Sequence, residues 1–425
     1  MSPNKAEPSG ARRFETRELL LMASGLVALA GLVFSALLYH DSVSIAAGLR
    51  AEMICAPGEK MSCTPALRSE YAHLFGISLT VYGGAFYFAI LALILGVFFG
   101  PRERRRDALL ASSRFLFLSY LGSVAFSVYL GYVAFVLLPS PCPFCLALYV
   151  VNALGFGLAC AMKPSLLDFL GDLAGGLRRI LTQPATAAFF LVFFVSVGVL
   201  HYSQTWAIER TRAASAAQAR KEGQAAAAAL TGEGDKRISL EGLPMKGNAE
   251  SKVVFVEFSD FECPFCGEFA RSLHRLYEAY PDDIALYFVH YPLGPCNPGF
   301  SMHPSACLAA LASICAQEKG KFWEFHDRAF QHFAEQRDKG ERAELEESDV
   351  LAWANALGMQ PEEFLLCLNS SETEARLSEQ IERAKSLEFR GVPTWTVNAH
   401  IRTGIVSFEY LQALVESLLK QQQKP

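Results

Sequence analysis

The chain has 425 residues, 52% of them hydrophobic, a mean hydropathy of +0.22 and a formal charge of −5. Such a composition excludes a purely water-soluble protein and calls for membrane segments, while the length leaves room for two or three domains. The mild negative charge argues for no particular partner, and no stretch carries a nucleic-acid signature.

Five apolar stretches approach the roughly 20 residues a bilayer-spanning helix needs, at about 19–39, 80–99, 115–138, 146–162 and 186–204. The first has a longer apolar core than the usual ~7–15 residues of a signal peptide and reads as a retained helix. With the N-terminus inside, the cytoplasmic segments hold twelve Lys and Arg: Lys5, Arg12, Arg13 and Arg17, then Arg102, Arg104, Arg105, Arg106 and Arg114, then Lys163, Arg178 and Arg179. The opposite side holds three, Arg50, Lys60 and Arg68. This asymmetry predicts a cytoplasmic N-terminus. Five spans then put everything after residue 204 outside the cytoplasm, where disulfides persist. The alanine-rich residues 213–234 read as a helical or flexible tether at a domain boundary.

Eleven cysteines punctuate this layout. Cys55 and Cys63 fall in the first outside loop, Cys142 and Cys145 at the outside end of the fourth span, and Cys160 near its inside end, where it reads as a packed free thiol. Four of these five share one membrane face, and electrons pass between disulfides by thiolate attack on sulfur. The plainer reading is a static Cys55–Cys63 staple and an incidental buried pair. A thiol pair at the lip of an apolar bundle, with no metal ligands nearby, needs a sink for two electrons. A lipid-soluble quinone is the natural acceptor at that depth.

The run Cys55, Cys63, Ser69, Phe75-Gly76, Tyr82-Gly83, Leu121-Gly122-Ser123, Cys142-Pro143-Phe144-Cys145 and Tyr149 resembles the vitamin K epoxide reductase family over about residues 15–165. The resemblance implies a four-helix membrane bundle enclosing a quinone, ubiquinone or menaquinone, with Cys145 nearest the ring and Cys142 exchanging with the loop pair. It implies that Tyr149 hydrogen-bonds a quinone carbonyl and that Ser69 supports the reactive cysteines. Tyr149 follows Cys145 by four residues and so shares its helical face. The asparagine that the animal enzymes use in the second span has no counterpart, since Leu79 and Thr80 stand there.

In the second half, residues 253–258 (VVFVEF) read as a buried strand. A short turn leads into Cys263-Pro264-Phe265-Cys266 and a helix. Strand, turn, Cys-x-x-Cys and helix is the thioredoxin-like context. Cys263 at the helix N-terminus becomes the nucleophile and Cys266 the resolving thiol. Pro393, in Gly391-Val392-Pro393-Thr394-Trp395, precedes a second strand at the point where thioredoxin-like folds place a cis proline. A long, mostly helical insertion at about 301–386 gives the layout a resemblance to the DsbA-like branch over about residues 236–420. That branch implies an oxidant of exported proteins, although the Pro-Phe dipeptide departs from the Pro-His of the strongest oxidants. Cys296, Cys307, Cys315 and Cys367 allow three pairings into structural disulfides; Cys296–Cys307 with Cys315–Cys367 is preferred. The two Cys-x-x-Cys pairs are too far apart in the chain for a shared zinc site, so no metal is expected. His326 and His332 on the insertion read as solvated or capping.

The expected protein is therefore a membrane α-helical bundle at 1–165, a fifth span and tether at 166–235, and a thioredoxin-like α/β domain with a helical insertion at 236–425. Its expected place is the bacterial inner membrane, with the reactive cysteines and C-terminal domain periplasmic. Reduced exported proteins give electrons to Cys263 and Cys266, which pass them through Cys55 and Cys63 to Cys142 and Cys145 and thence to the membrane quinone pool. Two alternatives stay open: a periplasmic reductase or isomerase, and a non-catalytic, membrane-anchored peptide-binding or chaperone module using the Pro393 groove.

Overall fold

The structure is a computed structural model that describes residues 9–48, 54–55, 63–101, 103, 105–138, 141–162, 184–230, 234, 236–338, 344–389 and 391–422. Lys5, Arg50, Lys60, Arg102, Arg104, Lys163, Arg178 and Arg179, which enter the expected charge asymmetry, lie outside the described residues. The chain divides into two compact units, Met1–Ala213 and Ala214–Pro425.

Among the described residues five helices are long and apolar enough to cross a membrane: Glu15–Ala46, Leu79–Phe99, Arg105–Leu137, Pro143–Ala161 and Thr186–Ala229. They belong to α1 (Ser9–Ala46), α3 (Leu79–Phe99), α4 (Arg105–Tyr132, continued by a π turn at Val133–Leu137), α5 (Pro143–Ala161) and α6 (Pro184–Ala229). Several begin earlier than their apolar windows because polar and proline residues start them. Ser78 caps α3 by accepting the Thr80 N–H, and Pro143 occupies the first turn of α5, where its missing N–H costs nothing. Between α1 and α3 lie the short α2 (Cys63–Arg68) and a hairpin of β1 (His73–Leu74) and β2 (Ile77–Ser78).

In the first unit α1 packs on α3 and α5, and α4 packs on α5 and α3. Close approach is set by small residues: a Cβ on Gly155 would run into the ring of Tyr120, and one on Gly31 into the ring of Tyr87. The start of α6 adds a fifth helix, its Phe189 ring 4.6 Å from that of Phe115. Cys160 is exposed on α5 rather than packed.

The stretch expected as a tether is helical to Ala229, and its end belongs to a core: Ala227 and Leu230 are buried with Leu411, Leu414 and Val415 in the second unit. That unit is built on a five-stranded sheet in the order β3-β5-β4-β6-β7, from β3 (Met245–Gly247), β4 (Val253–Ser259), β5 (Ile284–His290), β6 (Thr394–Val397) and β7 (His400–Thr403). β4 runs parallel to β5, and the outer strands β3 and β7 pair antiparallel with β5 and β6. The parallel pair is joined by α7 (Pro264–Ala279), as a parallel connection requires. Between β5 and β6 come α8 (Ala306–Glu318), α9 (Phe322–Asp338), α10 (Glu347–Ala356), α11 (Pro361–Leu368) and α12 (Ser371–Lys385), and α13 (Phe408–Gln422) closes the chain. Disulfides join Cys296 to Cys307 and Cys315 to Cys367.

His326 is not solvated. It is buried on α9 among Phe261, Phe288, Phe322 and Phe330, with Nδ1 2.8 Å from Asp327. The apolar face of α9 on which it sits is pressed onto the sheet. His332 is half-buried, its Nε2 2.9 Å from the Glu344 carbonyl.

Candidate functional site

Each unit carries one Cys-Pro-Phe-Cys at the start of a helix. In the first, Cys142 stands immediately before α5, and its sulfur accepts the backbone N–H of Cys145 at 3.3 Å. An N–H without an intrahelical partner thus points at a sulfur that becomes a thiolate. Cys55 and Cys63 form a disulfide, and the Sγ of Cys142, itself a free thiol, lies 2.9 Å from the Sγ of Cys63. The three sulfurs lie within 4.8 Å of one another. With two of them bonded together, this donor set offers a metal one thiolate and suits exchange between disulfides instead.

Asp41 near the end of α1 fixes the loop side of this contact. Its carboxylate is fully buried and accepts the N–H of Ile54 and that of Cys55, both at 2.9 Å. Ser69 donates to the Ala66 carbonyl at 2.8 Å, which holds the end of α2 one turn beyond Cys63. Among the described residues Ser69 makes no direct hydrogen bond to a cysteine.

A cavity of about 360 Å³ lies inside this bundle, lined by Cys142, Cys145, Tyr149, Ser69 and a mainly apolar wall from α1, α3 and α4. Asn152 and Tyr87 also face it. Tyr87 donates to the Asn152 side-chain oxygen at 2.7 Å, and the Asn152 amide nitrogen donates to Ser127 at 2.9 Å. The structure thus brings Cys142, Cys145 and Tyr149 to one chamber, with the Cys55–Cys63 disulfide against Cys142.

In the second unit Cys263 stands immediately before α7 and Cys266 lies one turn on; both are buried and neither is in a disulfide. The hydrogen bond from the Cys266 thiol draws the Cys263 pKa down to about 7 against burial, helped by the backbone N–H groups of Cys266 and Phe265. Burial, joined by the same hydrogen bond and the Cys263 charge, pushes Cys266 well up. One thiolate and one thiol is the split that a nucleophile and a resolving cysteine require. The Val392–Pro393 bond is cis, and the Val392 carbonyl lies 4.0 Å from the Cys263 sulfur.

Three acids lie on β4 and the turn that lead into this pair. Glu257 on β4 is buried, its Oε1 has no hydrogen-bond partner among the described residues, and burial raises its pKa to about 8. Asp260 accepts N–H groups from Glu262 at 2.8 Å and Leu293 at 2.7 Å and sits 2.7 Å from His303 Nδ1. Glu262 accepts the Ser305 N–H at 2.8 Å. These bonds tie the loop closed by the Cys296–Cys307 disulfide to the turn before Cys263. Sequence reasoning passed over Asp41, Asn152, Glu257 and Asp260. A lone carboxylate in an otherwise apolar strand marked Glu257, and a lone amide in an apolar span marked Asn152.

Residues 22–160 match the model of the vitamin K epoxide reductase family, and residues 240–417 match that of thioredoxin. Among curated proteins, the probable disulfide bond formation protein D of Bacillus cereus is 27% identical over 177 residues, 41% of this chain and 77% of that one. The Na(+)/H(+) antiporter NhaA 3 of Salinispora tropica is 31% identical over 173 residues, 41% of this chain and 24% of that one. This chain thus spans about a quarter of the length of such antiporter relatives. Among solved structures, oxidised BdbD from Bacillus subtilis is 20% identical, with TM-score 0.38, over 44% of this chain and 98% of that one. A thioredoxin-like oxidoreductase from Silicibacter pomeroyi is 24% identical, with TM-score 0.35, over 44% and 95%. The chain thus carries a vitamin K epoxide reductase family domain over residues 22–160 and a thioredoxin domain over residues 240–417.

Proposed function

We propose that the protein forms disulfide bonds in exported proteins and delivers the electrons to a membrane quinone. A substrate dithiol reduces the Cys263–Cys266 disulfide. The Cys263 thiolate then attacks Cys55 of the Cys55–Cys63 disulfide, Cys63 leaves as a thiolate, and Cys266 resolves the mixed disulfide to leave both loop cysteines reduced. Cys63 attacks Cys142 of the Cys142–Cys145 disulfide, Cys145 leaves, and Cys55 resolves that bond. The Cys142 and Cys145 thiols pass two electrons and two protons to the quinone, giving a quinol and restoring their disulfide. Tyr149 hydrogen-bonds the quinone, Ser69 steadies the loop pair, and Pro393 presents the substrate backbone to Cys263.

The observation that carries this reading is the 2.9 Å approach of Cys142 to Cys63, on a helix whose Cys145 lines an apolar cavity. A thiol against a disulfide sulfur is the geometry of exchange in either direction. The reading places the protein in a bacterial inner membrane with the cysteines outside the cytoplasm. Covalent linkage of the two redox modules replaces a bimolecular encounter by a high effective concentration.

Purified protein in detergent, given a reduced, unfolded, cysteine-containing protein and a soluble quinone, tests it. Substrate thiols and oxidised quinone should disappear in equal stoichiometry over many turnovers. Loss of substrate thiols only once per protein molecule, with the quinone still oxidised, would refute the relay.

A further inference from the structure

We infer that Asn152 is the second quinone-anchoring residue, its amide N–H donating to the quinone carbonyl that Tyr149 does not take. The inference rests on the proposed quinone-reducing function and names a polar contact within that site. Cys145, Tyr149 and Asn152 recur at intervals of four and three, which places them on one face of α5, and all three line the cavity. Three residues of helix rise separate Tyr149 from Asn152 by about 4.5 Å along the axis. A para-quinone carries its two carbonyls on opposite edges of one ring, so it offers a second acceptor to a donor other than Tyr149.

The hydrogen bonds of Asn152 decide which of its atoms meets a ligand. Its side-chain oxygen is taken by the Tyr87 hydroxyl at 2.7 Å, and its nitrogen gives one hydrogen to Ser127 at 2.9 Å, while Ser127 donates in turn to the Ser123 carbonyl at 2.8 Å. An amide has two N–H donors, and this network uses one of them. Tyr87 therefore fixes the amide with its nitrogen as the available group, and a quinone carbonyl is an acceptor. Tyr87 is held by shape, since its ring lies over Gly31 where any Cβ would collide with it.

The test measures turnover of the full-length protein in detergent with saturating reduced substrate protein and a varied short-chain ubiquinone analogue. Alongside it, the exchange between substrate thiols and the Cys55–Cys63 disulfide is followed in a single turnover without quinone. Asn152→Ala and Tyr87→Phe should each raise KM for the quinone about tenfold, the effect of losing one hydrogen bond, with the quinone-free exchange unchanged. KM values within twofold of wild type in both variants overturn the assignment and leave the relay standing. Should Asn152→Ala also slow the quinone-free exchange, Tyr87→Phe decides alone, because it keeps the ring against Gly31: a raised KM upholds the assignment and an unchanged one overturns it. A wild-type protein with no quinone turnover removes the relay, and the assignment with it.

Discussion

The sulfur of Cys142 lies 2.9 Å from that of Cys63 while Cys63 remains bonded to Cys55. Two redox pairs that are 79 residues apart in the chain are thereby one bond exchange from a mixed disulfide. Attack by Cys142 on Cys63 forms that bond and releases the Cys55 thiolate, and the proton of Cys142 is free to end on Cys55. Run forward in the oxidising direction, the same contact carries electrons from the loop toward the cavity.

Removing the resolving partner should trap this contact. In Cys145→Ser, Cys142 attacks Cys63 and releases Cys55, the one nearby thiol that can reverse the step, so alkylating Cys55 as it is released locks the Cys63–Cys142 disulfide, and quinone reduction stops. Peptide mapping under non-reducing conditions identifies the bond. Recovery of the Cys55–Cys63 pair alone, with steady quinone turnover, would show that electrons take another route.

Asp41 should control how readily that trap forms. Asp41→Ala leaves the buried N–H of Cys55 without its acceptor, at a cost of about 1–3 kcal/mol to the exchange-ready loop. In the Cys145→Ser background the added change should cut the rate of Cys63–Cys142 formation about tenfold. Equal rates with and without Asp41 would mean that the loop is held by other contacts.

The nucleophile of the second unit should titrate near neutrality. Iodoacetamide should modify Cys263 with a pH midpoint of about 7, and Cys266→Ser should move that midpoint, because it replaces the strongest of the interactions that lower it. Mass spectrometry of the alkylated peptide over pH 5–10 checks this. A wild-type midpoint at the ordinary thiol value would remove the assignment of Cys263 as the thiolate.

Glu257 should make the second unit less stable in alkali. Its pKa is raised by burial to about 8, so between the ordinary carboxylate range and about pH 8 the folded state binds the extra proton. Stability contributed this way is complete below the unfolded value and falls with rising pH, by up to about 1.4 kcal/mol per pH unit in that window. Above the folded value the loss is complete and levels off. Glu257→Gln should flatten the slope. Denaturant unfolding of the full chain followed by tryptophan fluorescence serves as the readout, since Trp323, Trp353 and Trp395 all belong to this unit. Parallel pH profiles for wild type and variant would exclude Glu257 as the source.

How much of this could be read from the chain depends on the range of the interaction. Pro143 and Pro264 sit at the first turn of their helices, and each Cys-x-x-Cys therefore begins a helix, a consequence of local backbone geometry visible in four residues. The tether was harder to read. Residues 213–229 are alanine-rich and helical by propensity, but Ala227 and Leu230 become core only because α13 brings Leu411 and Leu414 to them. His326 misled for a similar reason: an imidazole looks polar in sequence, and four phenylalanines from β5, α9 and the turn before Cys263 made its surroundings apolar.

By itself the sequence determined the long apolar helices, the strand, turn and helix around Cys263, and the helix start at each Cys-Pro-Phe-Cys, because apolar run length and Cys-x-x-Cys spacing are properties of short segments. Tertiary structure decided that Cys63 is the sulfur facing Cys142, that Asp41 holds Cys55, that Asn152 faces the cavity with Tyr87, and that Asp260 meets His303. Those contacts join residues 14 to 79 positions apart, and their geometry is fixed by how helices and loops pack, which no local spacing encodes.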